Sequence, residues 1–67
     1  MSGTSQLEFY RARASQARAD AEMATLAHVR ERCLRSEAAW LQLAGRAARS
    51  EEMRERLAAE KEAREAV

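Results

Sequence analysis

From Leu7 onward, apolar and small residues return at alternating intervals of three and four: Leu7, Tyr10, Ala14, Ala17, Ala21 and Ala24. That spacing places them along one side of an α-helix. Beyond Tyr10 the seam is alanine alone. Small side chains let another helix come close, so the seam suits an antiparallel neighbour carrying larger residues. At about 100° per residue, Phe9, Ala12, Ala19 and Met23 fall nearly opposite. Arg11, Arg18 and Glu22 make a polar strip on one flank, and Arg13 and Asp20 a thinner one on the other. A helix apolar on two sides asks for two neighbours, one from its own chain and one from a second copy.

The seam stops after Ala24. Continuing its register gives His28, Glu31, Arg35, Ala38 and Gln42, a solvated face. A new apolar row starts at Leu26 and runs through Val29, Cys33, Ser36, Trp40, Leu43 and Ala47, widened by Leu34, Leu41 and Ala48. A shift of this size is not a coiled-coil stutter of three or four residues. It predicts a turn within 23–27, with Thr25 as the N-cap of the second helix. Neither Gly nor Pro marks the place, so the turn rests on the change of phase, and one long helix with a rotating stripe is the alternative. The first helix has a clearer start. Ser5, with Glu8 three residues on, forms an S-x-x-E capping box in which each side chain satisfies an orphan N–H. Met1 to Thr4 read as a short disordered lead.

A further break falls near Ser50. Met53 and Leu57 sit off the Val29–Trp40–Ala47 face, and Ser50-Glu51-Glu52 resembles a helix start with acids in its first turn. Opposite charges follow at i,i+4: Glu52–Arg56, Arg56–Glu60, Glu60–Arg64 and Lys61–Glu65. Each such pair contributes only a few tenths of a kcal/mol. Residues 50–67 are therefore helix-prone but short of core. They read as an extension of helix two, or as a segment that kinks away and frays.

Composition sharpens this picture. Large apolar residues are few among the 67, and much of the 46% hydrophobic content is alanine. Chains this small usually need a metal, a disulfide or a partner subunit. One cysteine cannot form an internal disulfide and no Cys/His cluster suggests a metal, which leaves oligomerisation; a homodimer is expected. Proline is absent, and Ala, Arg, Glu and Leu, all strong helix formers, dominate. No run approaches the roughly 18 apolar residues of a membrane span, so no membrane association is expected. The N-terminus lacks the order of a secretory signal. With a free thiol, this points to a reducing cytoplasm.

The formal charge of +1 argues against a dedicated nucleic-acid or anionic-membrane binder. Between positions 11 and 49, however, eight arginines face four acids, whereas residues 50–67 hold four bases and six acids. Solvated helix faces explain the arginines most simply, and the wealth of Arg and Ala fits codon bias in a GC-rich, bacterial genome. A nucleic-acid-associated regulator using arginine-rich faces is the alternative function.

Candidate chemistry is sparse. Cys33 and His28 are five residues apart and diverge by about 140° on a helix, so they do not converge on a metal. Cys33 reads as a small buried hydrophobe and His28 as a solvated residue near the turn. No base and orienting group accompany a nucleophile, and there is no glycine-rich phosphate loop. Neither an enzyme nor a cofactor is expected. Trp40 can bury more area than any other side chain here, and serves as core anchor or interface hot spot.

The stretches L-E-F-Y-R-A-R-A (from Leu7), A-R-A-D-A-E (from Ala17) and V-R-E-R-C-L-R-S-E-A-A-W (Val29 to Trp40) resemble a group of small uncharacterised bacterial proteins, chiefly of alphaproteobacteria. Those chains share an E-x-Y-x-R-R-A-like opening, an alanine/glutamate-rich first helix and a second helix centred on an aromatic residue. The resemblance covers about 7–49 and implies a helical hairpin with no assigned activity. The expected fold is all-α: an antiparallel hairpin with helices near 5–24 and 26–49, pairing into a four-helix bundle. Leu7, Tyr10, Ala14, Ala17, Ala21, Val29, Cys33, Leu34, Trp40, Leu41, Leu43 and Ala47 are its expected core and interface, with Phe9 and Tyr10 closing one end. The leading function is a small non-enzymatic structural or adaptor protein, a homodimer that presents helical faces to an unidentified protein partner.

Overall fold

A computed structural model describes residues 5–66. The lead over 1–4 and the final residue of the 50–67 segment lie outside the described residues. Two helices account for nearly all of the remainder: α1 (Gln6–Met23) and α2 (Ala27–Glu65). No strand occurs among the described residues.

α1 opens with the capping box. Glu8 N–H donates to Ser5 Oγ at 3.1 Å, and Ser5 N–H donates to Glu8 Oε1 at 3.0 Å. These bonds satisfy donors that a helix start leaves orphaned. The helix ends at Met23, where Ala24 takes extended backbone (φ −70°, ψ 131°). Leu26 is extended as well (φ −98°, ψ 132°). Three residues are thus spent on the reversal and α2 begins at Ala27, one position later than a Thr25 cap requires. This corrects the expectation for Thr25: Leu26 is the N-cap, and it makes no side-chain capping bond. The turn is closed from the other side. Arg30 Nη2 donates to the Ala24 carbonyl at 3.0 Å, serving an acceptor that the end of α1 leaves free.

Contacts along the pair reveal an antiparallel hairpin. Arg18 reaches Glu37, Tyr10 stacks on Trp40, and Gln6 shares a groove with Ser50, so partners separate steadily in sequence away from the turn. α2 shows no break near Ser50 and runs to Glu65 as one helix. At 1.5 Å per residue α1 is about 27 Å long and α2 about 58 Å. The last 14 residues of α2, after Glu51, are all exposed and project beyond α1. The molecule measures 62 × 25 × 11 Å, one helix thick.

Candidate functional site

A layer of two helices has a single internal seam. On α1 it consists of Leu7, Tyr10, Ala14, Ala17 and Ala21, the row that the spacing marks out. Ala14, Ala17 and Ala21 are buried, while Leu7 and Tyr10 are half-buried. On α2 the residues turned inward are Val29, Cys33, Glu37, Trp40, Ala44, Ala47 and Glu51, spaced 4-4-3-4-3-4. Ala44 is the only buried residue of α2, and the apolar pattern passes over it in favour of Leu43, which is half-buried on the flank. Ser36 likewise stands outside the seam, and Glu37 occupies it. Counting four residues on from Cys33 and from Trp40 finds both; hydrophobicity alone finds neither.

Glu37 tolerates that position because Arg18 Nη1 lies 3.6 Å from its Oε1, while Arg18 Nε is 3.5 Å from Glu22. The shared arginine neutralises a carboxylate at the rim of the seam, where solvent still reaches it and the gain is small.

Trp40 does not lie simply on the alanines. It sits in a cluster with Phe9 and Tyr10, ring centroids 5.9 Å away in each case, and Phe9 meets Tyr10 edge-on at 5.8 Å. The Arg13 guanidinium covers the indole at 5.2 Å from its centroid, within cation–π range. These four side chains lock the middle of α2 to the start of α1. Phe9 nonetheless remains 48% exposed.

Leu34 and Leu41 behave differently from the other expected core residues. They are 37% and 51% exposed, Leu34 lining a groove beside Ala21 at the edge of the seam. The physical reason is their azimuth: they point roughly 90–100° around α2 from the direction of α1. Met23, Leu26, Met53 and Leu57 are exposed too, so among the described residues every buried side chain is an alanine while six leucines and methionines lie open.

Shallow grooves flank the seam. One is lined by Arg18, Ala21, Glu22, Arg30 and Leu34, one by Gln6, Tyr10, Leu43, Arg46, Ala47 and Ser50, and one contains Cys33 with Asp20, Gln16, Arg13 and Trp40. Cys33 is a free, half-buried thiol. Among the described residues no group of three or more His, Cys, Asp or Glu side chains could hold a metal ion, and no helix is long and apolar enough to cross a membrane. The Glu8 carboxylate is held below its usual range by hydrogen bonds from the Ser5 backbone and then its side chain, a consequence of capping.

The chain matches no family model, no curated protein and no solved structure in comparisons with each. The similarity to small alphaproteobacterial proteins is thus an expectation from sequence, and the functional reading rests on geometry.

Proposed function

We propose that this chain is a non-enzymatic helical interaction module that completes its hydrophobic core against a second copy, forming a four-helix bundle whose outer faces meet another protein. The observation that carries this reading is an inversion of size: the buried side chains are alanines, while Phe9, Leu26, Leu34, Leu41, Met53 and Leu57 stand exposed. A protein buries its largest apolar side chains because each contributes about 1.5–3 kcal/mol when removed from water. Here that contribution is left unrealised in the single chain. Surface area makes the same point. The chain exposes 5612 Å², whereas a compact monomer of its 7.6 kDa exposes about 4,300 Å², a surplus of roughly 1,300 Å². A stable interface takes about 800 Å² from each partner. The free thiol fits a reducing compartment such as the cytoplasm.

Sedimentation at several protein concentrations tests the reading. A dimer that dissociates on dilution, losing helicity as it does so, is expected. A strictly monomeric chain that still unfolds cooperatively removes it.

One observation favours a second reading, nucleic-acid association. Arg35 and Arg49 share with His28 and Gln42 the face of α2 turned away from α1, with Arg32 and Arg46 on its flank, and all are exposed. Such a stripe can follow a phosphate backbone. Titrating salt against binding to generic duplex DNA separates the readings: a steep fall in affinity supports the stripe, and no binding at low salt removes it.

A further inference from the structure

We infer that the second copy docks along Leu34, Ala38, Leu41, Gly45 and Ala48 of α2, with the two α2 helices antiparallel and a two-fold axis at Leu41. The inference rests on the self-association proposed above and specifies its surface and geometry. These five residues follow one another at intervals of 4-3-4-3, the spacing of a helix–helix seam, and none carries a charge. The row holds Leu34 and Leu41, two large apolar side chains left open by the hairpin. It lies roughly 100° around α2 from the seam occupied by α1. That is the angle between the two neighbours of a helix in a four-helix bundle.

Charge at the ends of the row fixes direction and register. Arg30 stands eleven residues before Leu41 and Glu52 eleven after it, on the same side of α2, and both are exposed. With the dyad at Leu41, Arg30 of each copy faces Glu52 of the other, Leu34 faces Ala48, and Leu41 meets its own equivalent. Parallel pairing would instead set Arg30 against Arg30 and Glu52 against Glu52, like charges in contact. A shift of one heptad in either direction separates the opposite charges and slides Leu34 off the small residues. The two-fold is normal to the paired helices, so it leaves both α1 helices on one side, side by side.

Gly45 supplies an independent indication. It sits within α2 with no positive φ, so no feature of the backbone requires glycine. A Cβ built there would meet only the Arg49 side chain, at 3.4 Å. Alanine would therefore fit the hairpin and favour the helix. A close approach by a second backbone accounts for the missing methyl. Ala38, next to Gly45 across the dyad, is equally small. The surface surplus of roughly 1,300 Å² per chain is more than the about 800 Å² per partner that such an interface takes.

Oxidative cross-linking of the full-length chain tests the geometry, with Cys33→Ala as background. Leu41→Cys is expected to form a disulfide-linked dimer rapidly, because equivalent residues on the dyad bring their Cα atoms within reach. Ala39→Cys, on the far face of α2, is the control and should cross-link slowly. In parallel, Arg30→Glu and Glu52→Arg should each weaken dimerisation by about fivefold, since two rim pairs are lost per dimer. Combining them restores the pairs with signs exchanged and should recover the affinity. Arg30 also caps α1, but loss of that cap would not be rescued from position 52. A dimer in which Leu41→Cys cross-links no faster than Ala39→Cys, or in which the double reversal is no better than the single ones, overturns this interface while leaving self-association standing. A chain that is monomeric at every concentration overturns both.

Discussion

Replacing Ala14 by leucine places a large side chain at a buried point of the seam and tests whether α1 and α2 are as close as the packing requires. Ala14 is 3% exposed, so a longer side chain there has little room to lean. Leucine must push α2 away or leave its preferred rotamer. Overpacking of this kind costs about 1–3 kcal/mol. Ala12, two residues earlier, is exposed on the outer side of α1. Ala12→Leu makes the same chemical change in the same helix, so the slight difference in helix propensity cancels between the variants. The expected result is a gap of about 2 kcal/mol, which in urea, at the roughly 1 kcal/mol/M of a small protein, moves the midpoint by about 2 M. Far-UV circular dichroism reads it, at one protein concentration because association shifts apparent stability. If Ala14→Leu unfolds within about 0.5 kcal/mol of Ala12→Leu, the ordinary scatter of surface substitutions, the close alanine seam is refuted.

Four further outcomes rest on the described contacts. Ser5→Ala removes the hydroxyl end of the capping box and should destabilise α1 by about 1 kcal/mol, read by thermal unfolding. The pH dependence has a definite sign. The carboxyl of Glu8 titrates below its usual 4.5 in the folded chain, so its capping contribution is complete above 4.5 and is lost as pH falls through the depressed value. Glu8→Gln should flatten that acid limb of helicity, and an unchanged limb would count against the box. Arg13→Ala should cost about 0.5–1 kcal/mol and alter the emission of Trp40, the only tryptophan, whose ring it covers. Amide hydrogen exchange should be slow from Val29 to Ala47 and fast from Glu52 onward, where α2 has no partner within the chain; equal protection along α2 would contradict the unpartnered extension.

The turn and the start of α1 were legible because each leaves a local mark. A jump in apolar phase cannot be accommodated by one straight helix facing one neighbour, and Ser5 with Glu8 is a reciprocal bond written in two residues. The inner face of α2 was only partly legible. Leu43 is more apolar than Ala44, yet the closeness of two alanine-lined helices admits the smaller residue and pushes the larger to the flank. Glu37 was passed over because its compensating charge, Arg18, lies on the other helix, and contacts between helices are invisible to a count along one. Near Ser50 the acids resemble a helix start, but nothing there breaks a helix. Ser50 instead accepts a hydrogen bond from Arg54 Nη1 at 3.1 Å, one turn on. A capping residue and a mid-helix serine carry the same local pattern, and only a break in the backbone distinguishes them.

The seam also explains why the exposed leucines are no accident of composition. Two helices share one line of contact, and the volume available along that line falls as the axes approach. Filling it with alanine brings α1 and α2 close and leaves room for nothing larger, so Leu34 and Leu41 must stand aside whatever their hydrophobicity. Large side chains could have been used inside the hairpin and small ones outside, at the cost of a wider spacing. The reverse choice gives a hairpin whose helices lie close together and which carries large apolar groups where a third helix would meet them. Such a chain gains little by closing on itself and much more by closing with a partner. Exchanging the two roles, with Ala14→Leu and Leu41→Ala together, should therefore not restore what either change removes, because the two positions face different helices.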